Sequence, residues 1–284
     1  MEEEPKAPMA WEAGHFYSPI PSLREVRARE QKIFDVPRFI PGVDLNELEQ
    51  AHWLRTLTRL FSDQPFPAKP DPRTRFYFEN DYFTYGEGLM YQAILRHVQP
   101  KRVVEVGSGF TTALLLDIVD RFLPGGVACT CVEPYPDTLR SLLREDDFSR
   151  IELMRVPLQD ADLEIFQRLQ SGDILFIDST HVSKTGSDVN REIFEILPCL
   201  ASGVLIHFHD IYYPFEYPKE WVFKGIAWNE AYLLRGFLQY NAAFRIQVFN
   251  SFSARFLASQ IDQRIPNVNL FLMNPGSSIW LRKV

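Results

Sequence analysis

Two rhythms of apolar positions divide this chain. Short, mostly apolar runs recur at Val103–Val106, Val127–Val132, Ile151–Val156, Asp173–Ile177, Gly203–Phe208, Phe244–Phe249 and Ile279–Val284. Brevity and β-branched content predict strands, several of them covered on both faces. Stretches with helical spacing separate most of them: the segment opening at Thr111, then Asp137–Arg144, Ala161–Leu169, Asp188–Leu197 and Ala227–Tyr240. Alternation of this kind predicts a doubly wound, mostly parallel sheet of seven strands with helices on both faces. No helix is read between the last two runs, which predicts an antiparallel strand at the sheet's edge.

The chain ahead of this pattern is different. Residues 1 to about 20 carry several prolines and read as irregular or flexible. Ser22–Ile33 reads as a polar surface helix, broken by Pro37 and Pro41. Asp44 is placed to cap a helix over Leu45–Phe61, with Leu48, Trp53, Leu54, Leu57 and Leu60 on one face. Pro65, Pro67, Pro70 and Pro72 form a linker-like stretch. The aromatic segment Arg75–Tyr85 either packs this region onto the main domain or lines a pocket mouth, and Gly88–Val98 reads as the helix leading into the first strand. The expected division is a helical and irregular extension over 1–84 and an α/β domain over 85–284.

Composition narrows the function. The 284 residues are 46% hydrophobic, enough for a sizeable core, and the net charge of −7 comes without a clustered basic stripe, which argues against a nucleic-acid partner. The acidic start lacks the pattern of a secretory signal, and no apolar run approaches the roughly 20 residues of a membrane span. Cys129 and Cys131 share one face of a strand without a second ligand pair, so they read as buried thiols and not a metal site. With Cys199 they make no disulfide framework, and a cytoplasmic location is expected.

Candidate chemistry gathers at the strands' carboxyl ends, where open α/β sheets bind ligands. The first strand runs V-V-E-V-G-S-G-F-T-T over Val103–Thr112: Gly107 and Gly109 allow a tight turn against a ligand, with Ser108 between them, and the next helix presents its first amides. Glu105, a carboxylate in an apolar strand, is expected to meet a cation or a set of donors. Glu133 ends the second strand, placed to take both hydroxyls of a ribose, and so points to an adenosine-containing cofactor. Thr112 stands where the dinucleotide fingerprint wants Gly or Ala, and Glu105 would repel a pyrophosphate; the balance favours S-adenosylmethionine over NAD. Asp160, after the third strand, is a candidate contact for the adenine amino group. Asp178 ends the fourth strand, and His209–Asp210 the fifth.

At these residues the chain resembles a family. Val104-Glu105-Val106-Gly107-Ser108-Gly109 is similar to the first motif of class I S-adenosylmethionine-dependent methyltransferases, whose domain is Rossmann-like. Asp173–His181 together with Gly203–Asp210 resembles the branch of macrocin- and mycinamicin-type sugar O-methyltransferases. The resemblance covers roughly residues 85–284. It implies methyl transfer to a hydroxyl of a small molecule, a sugar or natural product, and a magnesium ion on Asp178 and Asp210, with His209 as a weaker ligand where the family has a carboxylate. It also implies His181 as general base. A histidine with an ordinary pKa near 6.5 suits that task. Fewer carboxylates bind a hard ion less well, which leaves a metal-free mechanism on His181 open.

Other residues read two ways. Lys184 is either an oxyanion stabiliser or a solvated loop lysine. Asp178 could also cap a turn, and also bind cofactor; His181 could be a backbone-bonded loop histidine. His207 reads as structural, and Asp188 and Asn190 as helix-capping residues. The loop Tyr212–Pro218, with Trp221 and Trp228, is too apolar for a solvated loop and is expected to form a lid or acceptor wall. Trp228-Asn229-Glu230 either extends that pocket or packs in the core. A homodimer using the aromatic N-terminal part is compatible with the sequence. A non-catalytic domain holding an adenosine ligand and an NAD-dependent oxidoreductase are the competing readings.

Overall fold

The structure, a computed structural model, describes residues 10–284, so the expectations for residues 1–9 lie outside the described residues. Seven strands form one sheet: β1 (Arg102–Val106), β2 (Ala128–Val132), β3 (Ile151–Met154), β4 (Ile174–Ile177), β5 (Leu205–Phe208), β6 (Phe244–Phe249) and β7 (Ile279–Lys283). Their order is β3-β2-β1-β4-β5-β7-β6. The first five pair in parallel, and β7 pairs antiparallel with both β5 and β6. The expected doubly wound α/β sheet with antiparallel pairing at one edge is therefore present; the reversed strand is β7, one place in, with β6 outermost. Helices Asn250–Phe256 and Val268–Met273 lie between β6 and β7, where the sequence had suggested none. Each is under two turns long, too short for helical spacing to show.

Register follows burial. Val104 and Val106 of β1 face Leu175 and Ile177 of β4, and all four are buried, as a strand covered on both sides requires. Helix Tyr85–Val98 packs beside helix Phe110–Phe122. It starts three residues before the expected Gly88, because Thr84 and Glu87 cap it: Glu87 Oε2 accepts from the Thr84 N–H at 3.2 Å. Gly86 is needed there, since a Cβ would run into the backbone at Asn274 and Pro275.

The region before residue 85 shares this core. Leu54, Leu57, Phe61, Phe66, Phe76, Phe78 and Phe83 are buried in one continuous apolar cluster with the sheet. The helix there spans Glu47–Leu57, followed by a tight turn Thr58–Phe61. Leu48 is 89% exposed, contrary to the expected face, because it lies off the stripe of Gln50, Ala51, Trp53, Leu54 and Leu57 that the helix buries. Asp44 does not cap it; its Oδ1 accepts from the Asn46 N–H at 2.8 Å, and Asn46 holds the cap position in a left-handed conformation. Gln50 joins the helix to the end of β6, accepting from the Phe249 N–H at 2.9 Å and the Ser253 hydroxyl at 3.1 Å. No helix among the described residues is long and apolar enough to cross a membrane.

Candidate active site

The turn after β1 fixes a groove. Gly107 has φ +77°, and a Cβ there would run into the carbonyl oxygen of Asp178, so only glycine fits. Two adjoining cavities of about 350 Å³ and 150 Å³ open beyond the strand ends and share Gly107, Glu133 and Asp178 as lining. Val132, Leu158 and Ser179 wall the larger; Ser108, Gly109 and Tyr82 wall the smaller. Glu133 is held in place by two backbone donors, the Ser108 N–H at 3.1 Å and the Tyr135 N–H at 2.6 Å. The hydroxyls of Ser108 and Ser179 are buried without a partner among the described residues. Buried groups of this kind are rare unless a ligand completes them.

Five of the expected cofactor residues, Gly107, Ser108, Gly109, Glu133 and Asp178, thus meet at one groove. Two do not. Glu105 lies beneath the turn, fully buried, where it accepts from the Thr112 hydroxyl. No cation reaches it among the described residues, and burial, with Cys131 beside it, pushes its carboxyl well up. The repulsion of a pyrophosphate expected from Glu105 therefore has no basis. Asp160 closes a tight turn, Leu158–Asp160, that buries Leu158 and leaves the aspartate outside the groove, exposed.

Beside the groove, the ends of β4 and β5 bring Asp178, His181, His209 and Asp210 together. Asp178 Oδ1 lies 3.4 Å from His181 Nε2 and 3.3 Å from His209 Nδ1. Asp210 Oδ2 lies 3.6 Å from each of the same two nitrogens. His181 and Asp210 both have positive φ, 60° and 56°, a strained conformation outside glycine and one that clusters at functional sites. Each ring is braced from behind. His181 Nδ1 is 2.8 Å from Glu230 Oε2, and His209 Nε2 is 3.0 Å from Glu87 Oε1. Glu87 in turn accepts from the Ser277 N–H and hydroxyl, both at 3.0 Å.

This electrostatic setting changes the reading of His181. Burial alone would lower its pKa, but Asp178 and Glu230 outweigh that and push it up to about 10. Burial would likewise raise the Asp178 carboxyl, yet His209 and His181 hold it far below the usual carboxylate range. Both nitrogens of His181 face carboxylates, so it is not the free base with an ordinary pKa that the resemblance implied. Lys184 is exposed and lines neither cavity; only its backbone takes part, bonding to Ser187 and Asn190. It is a solvated loop lysine. Ser187, not Asp188, caps the following helix, and Asp188 instead accepts from Thr180 at the groove wall.

Glu87 was not singled out as a site residue, and Glu230 was named only within Trp228-Asn229-Glu230, as extending the acceptor pocket or packing in the core. The Thr84-x-x-Glu87 spacing signals a helix cap, which hides the second use of the same carboxylate. His207 is buried against Ser278 at 2.9 Å, as its structural reading expects. In the aromatic loop Tyr213, Phe215 and Tyr217 are core residues, so it is not a free lid; half-buried Tyr212, Trp221 and Trp228 remain near the cluster, with Trp228 4.4 Å from the His181 ring.

Comparison with known proteins agrees with this geometry. Residues 104–211 match the family described as "Methyltransferase domain". An uncharacterised protein of Archaeoglobus fulgidus is 36% identical over 166 residues, covering 57% of this chain and 74% of that one. The chain belongs to the same family as this archaeal protein. Among solved structures, the SAH-bound methyltransferase PaMTH1 of Podospora anserina is similar at 13% identity and a TM-score of 0.45, covering 93% of this chain and 98% of that one. The O-methyltransferase TomG of Streptomyces achromogenes, in complex with SAM, is similar at 16% identity and a TM-score of 0.41, covering 78% and 87%. Likenesses this loose carry no argument about the activity of this methyltransferase-domain protein. The reversed β7 sets the sheet apart from the all-parallel dinucleotide-binding order.

Proposed function

We propose that the chain transfers a methyl group from S-adenosylmethionine to a hydroxyl oxygen of a small acceptor, a sugar or natural product. The observation that carries this reading is the double position of Asp178. It lines both cavities of the cofactor groove and forms one corner of the histidine–carboxylate cluster. A donor in the groove and an acceptor at the cluster therefore meet across one residue. Glu133 takes the ribose hydroxyls, and the orphaned Ser108 and Ser179 hydroxyls bond the remainder of the donor. The cluster binds and orients the acceptor hydroxyl against the methyl group, so that positioning supplies much of the rate. Tyr212, Trp221 and Trp228 offer aromatic faces to the acceptor's ring.

The test is a thermal-shift titration with S-adenosylhomocysteine, S-adenosylmethionine and NAD. A ligand at about 100 times its dissociation constant stabilises by about 2.7 kcal/mol, a shift of a few degrees. The sulfur nucleosides are expected to shift the transition and NAD to leave it unchanged. Glu133→Gln should weaken their binding while leaving the unliganded midpoint in place. A shift with NAD alone, or with none of the three, overturns the reading.

A further inference from the structure

We propose that a cavity beside β6 and β7 binds a phosphate-bearing small molecule on the guanidinium groups of Arg245 and Arg282. Arg282 pairs with Leu205, the first residue of β5, so this cavity lies at the amino end of the parallel strands. The cofactor groove opens at their carboxyl ends. The inference therefore goes beyond methyl transfer and does not rest on it.

Three observations converge. The first is register. The antiparallel ladder sets Arg245 directly opposite Arg282, between the pairs Phe244–Lys283 and Ile246–Leu281. Like charges in that relation destabilise a sheet. The neighbouring cation is compensated, since Lys283 Nζ lies 4.3 Å from the centre of the Phe244 ring. The two arginines are not: neither has a carboxylate within ion-pair distance among the described residues. A local rule broken without compensation inside the chain is expected at a functional position.

The second is the cavity itself, about 320 Å³. Arg245, Arg282 and Lys283 line it, against a single carboxylate side chain, Glu49. Glu49 Oε1 already accepts from the Trp53 indole N–H at 3.0 Å. Positive charge thus dominates this cavity in a chain whose net charge is −7. Two guanidinium forks side by side match the oxygens of a phosphate, which each can hold bidentately. The patch escapes a search for basic stripes because its arginines are far apart in sequence and meet only through the pairing of β6 with β7.

The third is Gln247, which lines the same cavity and is 3% exposed. Its amide nitrogen donates to the Arg245 carbonyl at 3.3 Å, but its Oε1 has no partner among the described residues. A buried acceptor of this kind wants a donor. Phosphate oxygens on two arginines supply none, so the ligand carries a hydroxyl or N–H group besides its phosphate. There is room for it: a second cavity of about 250 Å³ shares Arg245 and is walled by Phe244 and the exposed Tyr240.

The experiment is a calorimetric titration of the full chain with glycerol 3-phosphate, run with and without S-adenosylhomocysteine to occupy the cofactor groove. The expected result is one equivalent bound in both cases, weakening as salt is raised, with no binding of glycerol. Arg245→Gln and Arg282→Gln should each weaken binding by about tenfold or more, and Gln247→Leu by less. Arg264→Gln, at a side chain 91% exposed, should leave it unchanged. Neither Arg245→Gln nor Arg282→Gln should lower the unliganded unfolding midpoint, since each relieves a like-charge pair. No binding, equal binding of glycerol, or wild-type affinity in both arginine variants overturns the proposal. Displacement by S-adenosylhomocysteine also overturns it, because the phosphate would then have been in the cofactor groove.

Discussion

Two clusters of charged side chains, one around Arg75 and one around Asp178, are built to different rules. The first holds the extension to the main domain. The Arg75 guanidinium meets Asp117 at 2.8 Å, Asp120 at 2.9 Å and Asp147 at 2.6 Å. Arg150 closes the outer side on Asp120 at 2.6 Å. Asp117 also accepts from the backbone of Arg75 and Phe76, so its oxygens are filled. The second is the cluster at Asp178. There, four carboxyl groups surround two imidazoles, and carboxylates outnumber cations by two even with both rings protonated. Its inner edges exceed 3.2 Å, and Glu230 Oε1 has no partner among the described residues. A buried network is satisfied or it is waiting for something. The first cluster is closed and structural. The second is short of positive charge at its centre, which is what a binding site for a cation looks like before the cation is considered.

The comparison can be broken by variants that separate stability from function. Arg75→Met strands three carboxylates, two of them buried, and should lower unfolding free energy by about 3–5 kcal/mol in a denaturant titration. S-adenosylhomocysteine affinity of the folded fraction should not change; if it falls as well, the clusters are not independent. Asp178→Asn should do the reverse. Methyl transfer should drop by more than about 100-fold, with a smaller loss of stability than Arg75→Met causes: His209 and His181 favour the charged carboxylate, but the Asp178 side chain keeps over a third of its surface open to solvent, which screens the pairing. A large loss of stability there would make Asp178 a structural residue.

A pH series sharpens the contrast. Burial alone would raise the Asp147 carboxyl, but Arg75 and the Arg144 N–H hold it below the ordinary 3.8. A depressed carboxylate stabilises the fold above its unfolded pKa, and that contribution is lost as pH falls through the folded value. Wild type should therefore lose more stability than Asp147→Asn below about pH 4, and parallel curves would contradict the clamp. The smallest effect is expected at Glu105. Burial already pushes its carboxyl up, so Glu105→Gln should change stability by less than about 1 kcal/mol. A loss of several kcal/mol would mean that the carboxylate is charged in the folded protein.

How much of this the sequence carried depended on the range of the interaction. Strands β1 to β5 were legible as short, mostly apolar runs, and the groove followed because Gly107, Glu133 and Asp178 sit at strand ends that the parallel order brings together. What failed was geometry at the scale of one side chain. Glu105 and Val106 are neighbours in β1, yet a strand sends them to opposite faces, and only a known register tells which face holds the groove. Asp160 was lost to a single tight turn. Glu87 and Glu230 come from helices far along the chain from His209 and His181, and no local pattern links them. His181 looked like a base because its ordinary pKa suits one; the carboxylates that change it are supplied by the end of β4 and by helix Glu230–Leu238.

The two bonds from Ser277 to Glu87 have a consequence for synthesis. They tie the brace of His209 to the residues leading into β7, the strand inserted between β5 and β6. A chain emerging from the ribosome displays Asp178, His181, His209 and Asp210 well before residues 277–283 exist. Until that last strand arrives, the anchor behind His209 is missing and the ends of β5 are unsupported. The assembled cluster therefore belongs to the finished molecule, and a truncated or stalled product, however much of its sheet it has built, lacks it.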